Sequence, residues 1–566
     1  MKNKALKLYT SVLALAFTAA CQPTDKASSI EETQQKKTAS FEYFSYSGQT
    51  PETVELADNQ YQNPILAGYY PDPSVLRVDE DYYLVNSSFS HFPGIPVFHS
   101  KDLVNWSQIG NAIDRSDQLD FSGLTVSRGV FAPDISYHDG VFYIVTTCVD
   151  CKGNFVITAD NPTGPWSDPI WLDFDGIDPS IFWEGEKAYI VNNDAPIGAP
   201  IYEGHRAIWV QEFDWQNLKM VGERTLLING GVDIITEPVW IEGPHILKRD
   251  NYYYLTAAEG GTSVNHSQTI FRSKDVRGPF LPADHNPILT QRDLAPDRTH
   301  PISAAGHAKF VETQNGEWWA TFLSTRPYDA EDHYNIGRET FLLPVSWNDG
   351  WPYILPAGEA IPFAHAKPNL PAQAAPALPL TGNFSYRDEF ERSALSQQWV
   401  GVRNPESAFY SVENGALNLR CDYAFGDLSH APSFIGRRQQ HHIATATTSL
   451  SYTPQANGDQ AGLVAIQNDT SLVFFGIEKD ENGTNIVVRT KDNSDNDTLL
   501  ASAPITNLEN IDLTLSSDAG LMQFEYTIDG AQTVLAQDID ATLLSTAKAG
   551  GFVGTIIGPY CHSSVQ

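Results

Sequence analysis

One pattern recurs along the chain and restricts what it can fold into. It reads Asp72-Pro-Ser-Val-Leu-Arg-Val-Asp-Glu-Asp-Tyr-Tyr-Leu-Val, then Ala132-Pro-Asp-Ile-Ser-Tyr-His-Asp-Gly-Val-Phe-Tyr-Ile-Val. It returns as Asp178-Pro-Ser-Ile-Phe-Trp-Glu-Gly-Glu-Lys-Ala-Tyr-Ile-Val and as Gly243-Pro-His-Ile-Leu-Lys-Arg-Asp-Asn-Tyr-Tyr-Tyr-Leu-Thr. A fifth, looser copy starts near Gly306-His307-Ala308 and ends at Trp318-Trp319-Ala320-Thr321-Phe322. Each copy is a strand, a polar turn and an aromatic-rich strand, the signature of a β-hairpin. The copies start about 45–65 residues apart, a period that points to propellers or arrays. The reading is an all-β chain whose repeated part is a five-bladed β-propeller.

Equivalent positions of successive blades form a ring about the propeller axis. The repeat therefore carries Asp72, Asp178 and, one residue before the fourth copy, Glu242 onto one ring. A single Asp-Pro start reads as a turn cap; acids at three of five starts predict a shared site. Glycoside hydrolysis requires one protonated acid to serve the leaving oxygen and one ionised carboxylate on the other side. A third carboxylate nearby would raise the acid's pKa. Spacing does not assign the roles among the three.

The ends and the composition narrow the setting. Lys2, Lys4 and Lys7 precede the short apolar run Val12–Phe17, and Thr18-Ala-Ala-Cys21 follows. This predicts a cleaved signal over residues 1–21, of lipoprotein type with Cys21 lipidated. The protein would then be exported to the periplasm or cell envelope and meet a membrane only through that anchor. Residues 22–57, rich in Ser, Thr, Glu, Gln and Lys, read as a flexible tether. A net charge of −33 excludes nucleic acid as a partner, because phosphate binding needs clustered Lys and Arg. Beyond Cys21 the cysteines are Cys148, Cys151, Cys421 and Cys561, for which disulfides, free thiols and, last, a metal site remain open.

The propeller is expected over 58–366 and a Pro-rich, semi-rigid connector over 367–383. From 384 to 566 the texture changes to short alternating strands, such as Ala461–Gln467 and Gln523–Ile528, separated by Asn-Gly and Asp-Gly turns. These predict a second all-β domain, a β-sandwich.

Several runs in the right order resemble glycoside hydrolase family 43. They are Gly68-Tyr-Tyr-Pro-Asp-Pro-Ser-Val75, Phe92-Pro-Gly-Ile-Pro-Val-Phe-His-Ser-Lys-Asp-Leu-Val-Asn-Trp106, Asp175-Gly-Ile-Asp-Pro-Ser-Ile-Phe-Trp183, Ile241-Glu-Gly-Pro-His-Ile246, Gly306-His-Ala and Gly337-Arg-Glu-Thr340. Arg387-Asp-Glu-Phe390 and Gly436-Arg-Arg-Gln-Gln440 look like the concanavalin-like sandwich of the β-xylosidase branch. The resemblance covers everything after about residue 58. It implies an inverting, exo-acting enzyme with Asp72 as general base, Glu242 as general acid and Asp178 orienting Glu242 and raising its pKa. Arg338 would hold sugar hydroxyls, and Phe92 and Phe131 would stack on a sugar ring. His307 would line the channel and in some members helps to hold a calcium; no cofactor is otherwise required.

The implied substrate is a xylo-oligosaccharide or an arabinoxylan fragment, with release of xylose from non-reducing ends. The alternatives are an α-L-arabinofuranosidase and a non-catalytic glycan-binding surface lipoprotein. A homo-oligomer stays open. One departure stands out: in Phe552-Val-Gly-Thr-Ile-Ile-Gly558, Ile556 occupies the second aromatic position of the branch's loop. That predicts a pocket mouth closed differently from the usual one.

Overall fold

A computed structural model describes residues 37–564 apart from positions 53 and 495. The expected signal segment, Cys21 and residues 22–36 of the expected tether lie outside the described residues. Five antiparallel blades of four or five strands follow one another. Their innermost strands are Ser74–Val78, Asp134–His138, Ile177–Glu184, Glu242–Arg249 and Ser303–Glu312. In each hairpin the aromatic half of the repeat becomes the second strand, as at Val141–Val149 and Lys187–Asp194.

The repeat's alternation explains why the blades stack. Successive residues of a strand face opposite sides of its sheet. Thus Phe142 and Ile144 pack toward the first blade, whereas Tyr143 and Val145 pack toward the third. Five buried apolar clusters result, one between each pair of neighbouring blades. The cluster joining the last blade to the first, with Leu342 and Trp319 against Val75 and Leu84, closes the ring. The chain ahead of the first blade clasps it: Ile65 and Leu66 bond to Thr340, and Gln60–Gln62 pairs with Ala364–Ala366.

The second domain is a sandwich of two antiparallel sheets, and its composition corrects one expectation. Residues 38–49, read as part of a flexible tether, form the strand Thr38–Gln49 inside the larger sheet, between Ala416–Arg420 and Ile443–Ser451. A bulge between Phe41 and Phe44 shifts the register, so Ala39 and Phe41 face inward before it and Phe44, Tyr46 and Gly48 after it. The break in phase, amid Ser and Glu, hides the alternation from a composition-based reading. Gly48 is obligatory there, because an added Cβ would lie 2.0 Å from His441 Nδ1. Two disulfides settle the cysteine question: Cys148–Cys151 within the second blade and Cys421–Cys561 between the two sheets of the sandwich.

Propeller and sandwich share a core. Tyr69, Phe89 and Val126 of the first pack with Val400, Phe434, Val464 and Ile556 of the second. The fully buried Arg403 donates to Asp469 at 3.0 Å and to Leu124 O at 3.0 Å, crossing the interface. Residues of the Pro-rich connector lie along the propeller, where Gln373 bonds to Asp102 and Asn105.

Because Phe44 is wholly buried in the sandwich core, Phe44→Ala should cost about 3–5 kcal/mol. Exposed Glu42, at the bulge, should tolerate Ala within about 0.5 kcal/mol. Urea or thermal unfolding of both variants checks this; a negligible shift for Phe44→Ala would mean the strand is dispensable.

Candidate active site

The ring forms by a backbone device. The first residues of the five copies, Asp72, Ala132, Asp178, Gly243 and His307, meet around the axis. Four of them lie in the left-handed region, with φ of 52° for Asp72, 52° for Asp178, 55° for Gly243 and 53° for His307. Such a conformation costs a non-glycine residue about 1–3 kcal/mol. It coincides with register shifts in the innermost strands, between Ile177 and Ser180, Glu242 and His245, and Gly306 and Lys309. A bulge re-aims side chains that regular alternation would bury between blades. Gly243 leaves room for its neighbour, since an added Cβ would stand 2.9 Å from the His307 ring.

Asp72, Asp178, Glu242, Arg338, His307 and Phe131 line one cavity of about 460 Å³. Arg338 donates from Nη1 to Asp72 Oδ1 at 2.7 Å and from Nη2 to Oδ2 at 3.4 Å. Ser87 Oγ donates to Asp72 Oδ2 at 2.6 Å, and His307 Nδ1 lies 3.7 Å from Oδ1. Asp178 accepts the Gly243 N–H at 3.1 Å. Half-buried Glu242 receives no hydrogen bond from the described residues.

Phe92 is a correction. It lies outside the cavity lining, pairs with Gly401 of the sandwich and packs on the core between the first two blades. Phe89, three residues earlier on the same loop, lines the cavity instead. Its φ of 50° turns it there, a conformation that side-chain identity does not announce.

The mouth is closed from the sandwich after all. Phe552 lines the cavity, stacks on Phe89 with ring centroids 5.9 Å apart, and meets Phe131 edge-on at 5.8 Å. Its carbonyl accepts from Arg338 Nη2 at 3.4 Å. Ile556 is fully buried in the shared core, so replacing an aromatic there leaves the pocket wall intact.

Beneath the acids lies a second ring that sequence reasoning missed. The third residues of the copies are Ser74, Asp134, Ser180, His245 and Lys309. Lys309 Nζ donates to Asp134, to Ser74 Oγ at 2.9 Å and to Ile135 O at 2.9 Å. Asp134 also accepts from Ser74 Oγ at 3.0 Å and from the Ile181 N–H at 3.0 Å. The channel between the rings is a cavity of only about 10 Å³. Calcium needs six to eight oxygen ligands, and a lysine ammonium already faces the one acid of the lower ring. Among the described residues no group of three or more His, Cys, Asp or Glu is placed to hold a metal ion. The residues around His307 therefore do not fit a calcium held by protein oxygens.

Electrostatics divides the three carboxyls. Burial disfavours ionised Asp72, but Arg338, His307 and the Ser87 hydroxyl outweigh it and hold its pKa below the ordinary value. Burial pushes Asp178 up to about 6, with the Asp72 charge adding and His307, the Gly243 N–H and Arg338 opposing. Glu242 is pushed well above its ordinary value by burial and then by Asp178 and Asp72, against Arg338 and Arg206. Of the coupled pair, Asp178 has the N–H that favours its charged form and Glu242 has none, so Glu242 keeps the proton. One ionised and one protonated carboxyl thus face the same cavity.

Comparison with known proteins places the chain in a family. Residues 61–352 match the model of glycosyl hydrolases family 43, and residues 387–566 match the β-xylosidase C-terminal concanavalin A-like domain. A xylosidase/arabinosidase of Butyrivibrio fibrisolvens is 37% identical over 89% of this chain and 96% of its own. A non-reducing end α-L-arabinofuranosidase of Bacteroides ovatus is 35% identical over 91% and 93%. A solved family 43 structure from a capybara gut metagenome superposes with a TM-score of 0.86 at 37% identity, covering 93% of this chain and 100% of that one. The chain is a glycosidase and belongs to glycosyl hydrolase family 43, a five-bladed propeller bearing the concanavalin-like sandwich of the β-xylosidases.

Proposed function

We propose that the protein is an inverting, exo-acting β-xylosidase that removes xylose from the non-reducing ends of xylo-oligosaccharides. One observation carries the reading: Asp72 is held ionised by Arg338 while Glu242, in the same cavity, is held protonated. Asp72 takes a proton from a water whose oxygen attacks the anomeric carbon. Glu242 gives its proton to the glycosidic oxygen as the carbon–oxygen bond breaks, so configuration inverts. Asp178 keeps the Glu242 pKa high, and Phe89, Phe131 and Phe552 offer aromatic faces to the sugar. Arg338 pairs with Asp72 and with the Phe552 carbonyl, which fixes the base against the pocket wall. An export signal with lipidated Cys21 would deliver the enzyme to the cell envelope, where such oligosaccharides arrive.

The second reading, an α-L-arabinofuranosidase acting on arabinoxylan fragments, is favoured by the relatives named for both activities. Activity on nitrophenyl β-xyloside, nitrophenyl α-arabinofuranoside and xylobiose separates the two. Turnover of the arabinoside alone would replace the xylosidase reading, and turnover of none would remove both.

Glu242→Gln should lower kcat about 10²–10⁴-fold on xylobiose and less on nitrophenyl β-xyloside, whose leaving group needs little protonation. Because the carboxyl is already protonated, the swap should leave thermal stability nearly unchanged. Asp72→Asn should lose comparable activity on both substrates and lose stability too, since it leaves Arg338 buried without its counter-charge. Equal losses on the two substrates for Glu242→Gln would argue against its role as acid.

Activity should also fall on the alkaline side as Glu242 loses its proton. Asp178→Asn removes the neighbouring negative charge, so the alkaline limb of kcat/KM should move to lower pH. A pH–rate profile with an unmoved alkaline limb would refute the coupling.

A further inference from the structure

We propose that Arg206, set over the Trp240 ring in the cavity lining, binds the sugar unit on the leaving-group side of the cleaved bond and sets the preference for chains over small aglycones. This rests on the reading of Glu242 as proton donor, because whatever stands outward of that donor meets the departing half of the substrate.

Both residues line the cavity, and the Arg206 guanidinium carbon sits 4.1 Å from the Trp240 ring centroid. Trp240 precedes Glu242 by two residues, and its N–H donates to Gly204 O at 2.9 Å, fastening the Arg206 loop to the Glu242 loop. Other cavity arginines are committed: Arg338 to Asp72, and Arg128 to Asp150 at 3.2 Å. Arg206 has no hydrogen bond or ion pair from its side chain among the described residues. Stacking occupies a face of the guanidinium and leaves its N–H edge open, where the donors lie in one plane. Adjacent hydroxyls of a sugar offer acceptors with matching spacing. Arg206 and Glu242 line the same cavity, and the Arg206 charge opposes the upward push on Glu242.

The test compares the unmodified enzyme with Arg206→Ala and Arg206→Lys on xylobiose and nitrophenyl β-xyloside. Losing charge-assisted bonds to hydroxyls should cut kcat/KM for Arg206→Ala on xylobiose about 10–100-fold, mainly through KM. The loss on the nitrophenyl substrate should be smaller, since its leaving group carries no hydroxyls, and Arg206→Lys should recover part of the xylobiose activity. Equal losses on both substrates, or an unchanged xylobiose KM, would overturn the proposal. Calorimetry in a Glu242→Gln background gives a readout independent of turnover: the affinity gained from xylose to xylobiose should shrink in Arg206→Ala. An unmodified enzyme inactive on both xylosides would sink the functional reading, while the calorimetric comparison would still decide for or against Arg206.

Discussion

Three carboxyl groups buried around one axis cannot all be ionised in a medium of low dielectric, and the site is built on how that conflict is resolved. Arg338 supplies one positive charge and commits it to Asp72 through its two terminal guanidinium nitrogens. The remaining pair, Asp178 and Glu242, must share what is left, and His307 together with the Gly243 N–H tips the charge toward Asp178. The acid and the base are therefore set by Arg338, His307 and one amide. Their own chemistry would make the three carboxyls nearly equivalent.

That arrangement depends on rigidity elsewhere. Left-handed residues at the ring store strain that a looser frame would release. The five inter-blade cores, the clasp at Thr340 and the lower ring of Asp134 and Lys309 hold the innermost strands in place. The sandwich contributes directly: Phe552 forms part of the pocket wall and accepts from Arg338, so the second domain positions the residue that fixes the base. Its strand from residues 38–49 precedes the propeller in sequence, which makes the two domains interleaved along the chain.

Much of this was legible in the chain. Hairpin periodicity and the five copies disclosed the propeller, because each blade repeats the same alternation of inward and outward side chains. The acids stood out because Asp72 and Asp178 occupy equivalent copy starts and Glu242 stands one residue before the fourth. Lys309 was legible in principle, as the fifth copy's counterpart of Asp134, but a loose copy obscures its register. The strand at 38–49 was lost to a bulge that breaks its phase, and Phe89 was passed over for Phe92 because only backbone conformation distinguishes them.

The sequence by itself determined the all-β class, the five-fold repeat and which three carboxyls share a ring, since repeated local patterns impose equivalent places on their residues. Only the tertiary structure decided which carboxyl is charged, that Phe552 rather than Ile556 walls the pocket, and that Arg206 lines the cavity over Trp240 with no hydrogen bond or ion pair from its side chain among the described residues. Those facts depend on distances between segments up to several hundred residues apart, and on burial. Both come into being only when the blades close and the sandwich docks.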